Sequence, residues 1–442
     1  MKNKYQKLLL AAVVLLVVNM ATVAMLVIRA NMPSENPGRI DSPTSDSVVV
    51  EPDDVQVSAS DPEPSASDVS DTPQIPEVVM TSLEGTDLAL TIDRIGQDFN
   101  CNGMSVAVIE NGQVAYNYEY GYANKSKSRE VNSGTKFRIA SLSKVFTSML
   151  AMTLVDDGLL DLDTDISDIV GYQVRNPHSR DGAITMRMLL THTSSMKDKS
   201  PIFTYSLETD LLNNDSYAYC KPGELHNYTN LGMGVAGALI EKISGKVLSD
   251  YSDEAFFDGM DIDAAFNGAL LEDKVNVAEC MLGTNVERTE AEMVENRADK
   301  EPGENHTVAA GGLTISAVDY AKLMTVLMND GMYKGERYIS HESMEVFHTT
   351  HCECIDFEQC IGIRRSSKVL EGRTVYYHTG AAYGVYTFAL YDVSDMSGIV
   401  VFSTGAYDKF DEMKIRRICI DTAEAVYAEM FSDGAVSGSD AK

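Results

Sequence analysis

The stretch MSVAVIENGQVAYNYEY, residues 104–120, decides the fold. Two runs rich in β-branched and aromatic residues, 104–110 and 113–120, are joined by Asn111-Gly112. An Asn-Gly pair between two such runs is the strongest short-range signal for a β-hairpin. The sequence therefore predicts two antiparallel strands at the start of the folded part.

Further elements are predicted on both sides of this hairpin. A helix precedes it, because four apolar residues recur at helical spacing: Leu88, Ile92, Ile95 and Phe99. Near the other end of the chain, residues 385–391 and 398–404 predict strands, and a helix is expected from about 411 to 430. The segments between are predicted to be mostly helical, including residues 143–157, which are followed by Gly158. We predict an α+β fold, in which an antiparallel β-sheet is flanked by terminal helices and packs on a mostly helical region.

The charge of the chain excludes one broad class of partner. The 442 residues include 36 Lys and Arg against 66 Asp and Glu, a formal net charge of −30. Nucleic acid is not expected as a partner, since its phosphates require clustered basic residues. Anionic polymers such as teichoic acids would need a local basic site, and the sequence displays none.

The amino terminus carries a predicted membrane anchor over residues 1–30. Lys2, Lys4 and Lys7 precede an apolar run over residues 8–28, which is long enough as a helix to cross the ~30 Å hydrocarbon core. The preceding lysines favour a cytoplasmic amino terminus and an extracytoplasmic, single-pass protein. The alternative is a cleaved signal peptide and a secreted protein, with a cleavage site near residues 22–24.

Composition divides the remainder of the chain into three parts. Residues 31–85 are rich in Ser, Pro, Asp and Glu with almost no aromatic residues, which predicts a disordered linker. Residues 86–432 are predicted to fold as one domain, and residues 433–442 are predicted to form a flexible tail.

The candidate nucleophile lies in FRIASLSKVF, residues 137–146, where Ser141 and Lys144 are three residues apart at the start of an apolar helix. One helical turn brings both side chains to the same face. A serine hydroxyl becomes a useful nucleophile when a neighbouring group takes its proton. Ser143 is expected to point elsewhere and to be replaceable by alanine at little cost to turnover.

Two later motifs support this assignment. Tyr228-Thr-Asn230 opens a predicted helix, and a strand with a glycine-rich turn carries four further candidates: His378, Thr379, Gly380 and Ala381. With Ser141-x-x-Lys144, these motifs in this order resemble the serine β-lactamase and penicillin-binding protein superfamily. The segments 184–195 and 309–320 are similar to recurring segments of its class C β-lactamase-like branch.

The resemblance implies that Ser141 attacks a carbonyl group to form an acyl-enzyme, with Lys144 and Tyr228 sharing the proton transfer. Asn230 would bind the substrate amide and orient Lys144. The segment His378, Thr379, Gly380 and Ala381 would bind substrate, and the N–H groups of Ser141 and Ala381 would form the oxyanion hole. No metal and no organic cofactor is implied.

The substrate class follows from the same resemblance. We expect an extracytoplasmic serine hydrolase acting on D-alanyl peptides, such as peptidoglycan stem peptides, or on D-alanyl esters of the bacterial cell envelope. β-Lactams are possible ligands. The alternatives are a β-lactamase proper and a catalytically silent module that binds or senses cell-wall fragments, although the intact Ser141, Lys144 and Tyr228 set argues against the silent module.

Two residues depart from the resemblance. His378 stands where the best-known β-lactamases carry lysine. We expect this histidine to be mostly neutral at neutral pH and to gain a positive charge below pH ~6.5, which favours a peptidase or esterase over an efficient β-lactamase. Ser195 stands where glycine is usual, which should affect only a turn.

Other histidines and cysteines are expected to be structural. His192 is predicted to be hydrogen-bonded in a turn, and His226 either lines the cleft or faces solvent. A dense group could form a disulfide, remain as free thiols or, less readily, bind a metal: His348, His351, Cys352, Cys354 and Cys360.

Overall fold

A computed structural model describes residues 78–295 and 301–432 of the protein. The strands are β1 Thr81–Ser82, β2 Gly103–Glu110, β3 Gln113–Gly121, β4 Lys136–Arg138, β5 Cys280–Leu282, β6 Asn285–Arg288, β7 Thr314–Ser316, β8 Met332–Tyr333, β9 Glu336–Arg337, β10 Cys352–Glu353, β11 Glu358–Gln359, β12 Arg364–Ser366, β13 Val375–Ala382, β14 Val385–Asp392 and β15 Ser397–Thr404. The α-helices are α1 Asp87–Asp98, α2 Ser143–Asp156, α3 Ile166–Val170, α4 Met186–Leu190, α5 Leu207–Leu211, α6 Asn230–Ser244, α7 Leu248–Ser252, α8 Asp258–Met260, α9 Glu290–Met293, α10 Ala317–Met328, α11 His341–His348 and α12 Arg417–Met430. Short 3₁₀ turns cover Ala140–Leu142, Asn214–Ser216 and Gly268–Leu270, and a π-helical turn covers Asp253–Phe257.

The central element is a nine-stranded sheet in the order β1-β3-β2-β15-β14-β13-β12-β11-β10. The predicted hairpin is present as β2 and β3, and β15 pairs antiparallel with β2, so both ends of the domain meet in the middle of the sheet. This confirms the expected closure of the sheet by the two ends of the chain. The order also leaves β13 inside the sheet, next to the short strand β12.

One detail of the predicted sheet is wrong. Strand β1 pairs parallel with β3, with Thr81 opposite Tyr116, so the sheet is mixed rather than antiparallel. This strand also lies upstream of the boundary predicted at residue 86. The backbone pairing, rather than an apolar pattern, brings these exposed residues into the sheet.

The sheet separates two apolar layers. On one face, side chains such as Val106 and Val108 pack with helices α1 and α12. On the other face, Ala107 and Ile109 belong to the larger core shared with the helical region. Alternate residues of one strand thus enter different cores, as expected for a period of two. Burial on both faces explains why β14 and β15 have no exposed residue.

The last helix starts later than predicted. We expected it from about residue 411, whereas α12 begins at Arg417. The Asp411 carboxylate accepts a hydrogen bond from the N–H of Ile415 at 2.6 Å, and Phe410 bridges to Arg416. These contacts fold the segment into a loop, because an aspartate side chain competes with helical backbone pairing.

Several predictions fall outside the described residues. The membrane anchor, most of the linker and the C-terminal tail lie in residues 1–77 and 433–442. Within residues 78–295 and 301–432, no helix is long and apolar enough to cross a membrane.

Candidate active site

The turn Ala140–Leu142, here called the nucleophile turn because it carries the candidate nucleophile Ser141, is held tightly against the sheet. Ser141 lies in the 3₁₀ turn Ala140–Leu142 that leads into α2, and Ala140 adopts a positive φ of 49°. A Cβ atom on Gly380 of β13 would lie 2.5 Å from the carbonyl oxygen of Ile139 and 3.1 Å from the nitrogen of Ser141. Glycine is therefore required for this close approach between strand and turn.

Ser143 supports this turn and does not simply face away from it. Its side chain is buried, and its hydroxyl donates to the carbonyl of Ala140 at 2.7 Å and accepts from the N–H of Leu313 at 3.1 Å. Helical angle alone does not reveal which partners a neighbouring segment supplies, and the small effect of Ser143→Ala on turnover stays a prediction.

Lys144 is the central polar group of the site. Its side chain is buried, and its ammonium nitrogen Nζ lies 3.0 Å from Ser141 Oγ, 2.9 Å from Asn230 Oδ1 and 2.5 Å from the carbonyl oxygen of Ala310. A lysine ammonium group has three N–H donors, and these three acceptors match them. The predicted proximity of Ser141, Lys144 and Asn230 is confirmed.

Asp198 is part of this network and was not predicted. Its carboxylate accepts from the amide Nδ2 of Asn230 and from the hydroxyl of Thr229, each at 2.7 Å, and from the N–H of Leu231 at 2.9 Å. A carboxylate only accepts, so the NH₂ of Asn230 must face Asp198 and its oxygen must face Lys144. Asp198 is thus a positioning residue for the amide. Asp198 lies apart from the three recognised motifs, and nothing in its local sequence marks it.

Tyr228 stands among aromatic and cationic groups. The ring of His192 lies 4.4 Å from its ring, and the ring of His378 lies 6.4 Å away. Lys144 Nζ is 5.1 Å from the ring centroid, and the guanidinium carbon of Arg364 is 5.6 Å from it. The structure therefore brings all three sequence motifs into one cleft, with two cations beside the tyrosine.

His378 does not provide a titrating charge near neutral pH. Its ring is buried, and Nδ1 lies 2.8 Å from the carbonyl oxygen of Thr379, which assigns the proton to Nδ1 in the neutral form. Burial holds the pKa of His378 well below its ordinary value of 6.5, and the charges of Arg364 and Lys144 lower it further. The expectation that His378 becomes charged just below pH 6.5 is therefore wrong, because burial and neighbouring cations are not visible in the local sequence.

Arg364 is the second residue that sequence reasoning missed. It lies on β12 directly opposite Tyr377 of β13, and its guanidinium carbon is also 4.4 Å from the ring centroid of Phe357. Its Nε is buried without a hydrogen-bond partner among the described residues. A fixed positive charge thus stands beside the neutral His378. The cross-strand register that creates this pair carries no signal in the sequence around Arg364.

Three other predictions concern structural residues. His192 is buried at a positive φ of 58°, and its Nδ1 accepts from the N–H of Thr229 at 3.4 Å, as expected for a histidine in a turn. His226 lies beside the cleft, with Nε2 3.2 Å from Gln359 Oε1. Ser195 has a positive φ of 62° and accepts from Asn176 Nδ2 at 2.9 Å, so its effect is on a turn.

All seven cysteines lie in the described part of the chain and are free thiols. Of the alternatives for the group around His348, the structure shows thiols rather than a disulfide. His348 is directed to the hydroxyl of Tyr391, 2.8 Å from its Nε2. Within the described ranges, no group of three or more His, Cys, Asp or Glu residues could hold a metal ion.

A serine 3.0 Å from a buried lysine, a tyrosine at the start of a helix and a strand that packs on the serine turn are the features of a serine hydrolase of the penicillin-recognising class. The sequence model of the Beta-lactamase family matches residues 88–421. The chain belongs to the Beta-lactamase family.

The chain is also similar to curated proteins. The chain is 29% identical to Protein flp of Staphylococcus aureus (strain MRSA252) over 156 residues, which cover 34% of this chain and 31% of flp. The match thus spans about a third of the length of that curated relative.

Two solved structures share the fold. One is the octameric penicillin-binding protein homologue from Pyrococcus abyssi, with a TM-score of 0.62, 22% identity and coverage of 78% of this chain and 77% of that chain. The other is D-alanine carboxypeptidase AmpC from Burkholderia cenocepacia, with a TM-score of 0.61, 18% identity and coverage of 78% and 99%. At these identities the likeness shows the fold alone.

The first prediction concerns Ser143. Ser143→Ala should lower the free energy of unfolding by about 1–3 kcal/mol, because it leaves the Leu313 N–H without its buried acceptor and removes the hydroxyl bond to the Ala140 carbonyl. Denaturant unfolding measures this change. Ser143→Cys, which keeps a weak donor and acceptor, should lose less. Wild-type stability of Ser143→Ala would contradict the supporting role.

The second prediction concerns Asp198. Asp198→Asn should lower the maximal acylation rate by about 10- to 100-fold with little change in KM, because asparagine can accept or donate and no longer fixes the Asn230 amide. Pre-steady-state acylation kinetics separate the two constants.

The control is Asp215→Asn, which removes the same charge at an exposed position. It should leave both constants unchanged. An equal effect of the two substitutions would assign the loss to net charge and contradict the positioning role of Asp198.

The third prediction concerns pH. Because the pKa of His378 lies well below 6.5, this histidine stays neutral as pH falls from 8 to 6. The ratio of acylation rates for carboxylate-bearing and neutral donors should then change by less than about twofold over that range. Taking the ratio removes any titration of the general base, which acts on both donors alike. A steep rise of the ratio towards pH 6 would show that His378 gains a proton there.

Proposed function

We propose that this protein is a serine hydrolase that removes a D-alanyl group carrying a free carboxylate from cell-envelope peptides, as a DD-carboxypeptidase does. The observation that carries the proposal is the position of Arg364. Its guanidinium group stands beside Tyr228 and supplies a permanent positive charge where the third motif has a neutral histidine.

Arg364 is suited to a carboxylate for two reasons. A guanidinium group pairs with a carboxylate through two parallel N–H donors, which fixes orientation as well as charge. Its Nε is buried, so the terminal N–H groups of the guanidinium would make this pair. The charge does not titrate in the physiological range, unlike that of a histidine.

The proton path follows from the Lys144 contacts. A lysine whose three N–H groups all donate has no lone pair with which to accept the Ser141 proton. We therefore assign the general base to Tyr228, whose ring faces the cations Lys144 and Arg364. Lys144 would keep Ser141 oriented towards this base.

The acyl step then needs only groups of this chain. Ser141 Oγ bonds to the substrate carbonyl carbon, the N–H groups of Ser141 and Ala381 stabilise the oxyanion, and Tyr228 returns the proton to the leaving amine. Asn230 would hydrogen-bond the substrate amide, and its contact with Lys144 supports this role. Water then attacks the acyl-enzyme and releases the second product.

The alternatives are less well supported. A silent wall-binding module has no need for a nucleophile 3.0 Å from a buried lysine, since burying a lysine is costly unless the site uses it. An extracytoplasmic location remains part of the proposal and rests on the apolar run at residues 8–28. β-Lactams that carry a carboxylate would fit the same cleft as acylating ligands.

The fourth prediction tests this function. Arg364→Gln should lower kcat/KM by about 10- to 100-fold for an acyl-D-Ala-D-Ala peptide with a free carboxylate, the value of one charge-assisted pair. The same peptide with an amidated C-terminus, and a D-alanyl ester without a carboxylate, should lose little. Intact-mass detection of one adduct, absent in Ser141→Ala, establishes the nucleophile in the same preparation.

Arg365→Gln is the matched control, because Arg365 is next on the same strand and pairs with Glu358 at 2.8 Å instead of Tyr228. It should leave the ratio of carboxylate to amide substrates unchanged. Equal losses on carboxylate and amide substrates in Arg364→Gln would show that Arg364 meets no substrate carboxylate. Faster turnover of the ester than of any peptide would favour an esterase.

A further inference from the structure

A pair of guanidinium groups lies at the C-terminal end of β13. Tyr383, in the turn between β13 and β14, is partly exposed and adopts a positive φ of 54°. The guanidinium carbon of Arg138 is 4.9 Å from its ring centroid, and that of Arg288 is 4.8 Å from it. Two cations from β4 and β6 therefore share one aromatic ring.

This cluster is close to the reacting centre along the chain. Arg138 is three residues before Ser141, and Tyr383 is two residues after Ala381, so backbone lengths place them within ~7–11 Å of those residues. His378 lies nearer the N-terminal end of β13, and Arg364 of β12 is paired with the adjacent residue, Tyr377. A substrate chain lying along β13 with its leaving group at Arg364 would extend its acyl side towards Tyr383.

The cluster keeps much of its positive charge. Arg138 forms no salt bridge with a carboxylate in the part of the chain that the structure describes. Arg288 has one acidic neighbour, Glu292, at 3.8 Å. The hydrogen bond from Arg288 and the charge of Arg138 lower the pKa of Tyr383 from its ordinary value. This is the local basic site that the sequence did not display.

We propose that Arg138, Tyr383 and Arg288 form a subsite for a single carboxylate on the acyl side of the substrate. The proposal rests on the proposed function, since it extends the same cleft. A poly(glycerol phosphate) chain is disfavoured as the ligand, because the net charge of −30 would repel it along its length. A single carboxylate meets only the local cations.

The test compares two acyl-D-Ala-D-Ala peptides that differ only in a glutamyl side chain on the acyl side, which is a free carboxylate in one and an amide in the other. Wild-type protein should have a kcat/KM about tenfold higher for the carboxylate peptide. Arg288→Gln should bring this ratio close to one, and Arg288→Lys should keep part of it. Arg288 is chosen because β6 is remote in sequence from the nucleophile turn.

The matched control is Arg94→Gln, which removes one positive charge from an exposed position on helix α1. It should leave the ratio of the two peptides at its wild-type value. If Arg94→Gln and Arg288→Gln change the ratio of kcat/KM equally, the preference for the carboxylate peptide is an effect of net charge, and the subsite is overturned.

A binding measurement separates this subsite from the proposed reaction. Fluorescent forms of the two peptides are titrated into Ser141→Ala protein, with and without Arg288→Gln, so no turnover is needed. If the carboxylate peptide binds more tightly, in an Arg288-dependent way, while wild-type protein turns over neither peptide, this result would support the subsite and contradict the proposed reaction. Turnover of both peptides by wild type at equal rates would support the proposed reaction and contradict the subsite. Equal or absent binding of both peptides, or Arg288-dependent binding of poly(glycerol phosphate) in their place, would overturn the carboxylate assignment.

Discussion

The buried ammonium group of Lys144 is the interaction on which the rest of the site depends. Its three acceptors come from three separate parts of the chain: the nucleophile turn, the start of α6 and the segment that carries Ala310. Burying a lysine without partners is costly, so these segments must meet at one point for the domain to be stable. The same contacts that satisfy Lys144 orient Ser141 and Asn230. Stability of the helical region and alignment of the site are therefore one constraint.

The sheet imposes the second constraint. Strand β13 lies so close to the nucleophile turn that only glycine fits at position 380, and Thr387 of β14 donates to the carbonyl of Ile139 at 2.8 Å. Because β13 and β14 are interior strands and β14 is buried along its whole length, the turn rests on a rigid surface. This rigidity allows a residue with an unfavourable backbone conformation, Ala140, to be maintained directly before the nucleophile.

The charges of the cleft are arranged along β13. Arg364 stands beside His378 at one end of the stretch, and Arg138 and Arg288 flank Tyr383 at the other. The rest of the protein is strongly acidic, so these arginines are local exceptions in an unfavourable field for anions. In our proposal, this arrangement favours small anionic groups at defined positions over extended polyanions. The third motif can carry a neutral histidine because Arg364, on the neighbouring strand β12, supplies a positive charge next to it.

The sequence by itself determined the features that depend on local spacing. The Asn-Gly hairpin, the helical turn between Ser141 and Lys144, and the Tyr228 and His378 motifs each lie within a few residues, and the family follows from their order. The parallel pairing of β1, the support given by Ser143, the positioning by Asp198, the neutral state of His378 and the presence of Arg364 were decided only by the tertiary structure. Each of these depends on burial or on contacts between segments far apart in the chain. A local pattern specifies which residues can react, but the neighbours that fix their charge and orientation arrive through the register of strands and the packing of distant segments.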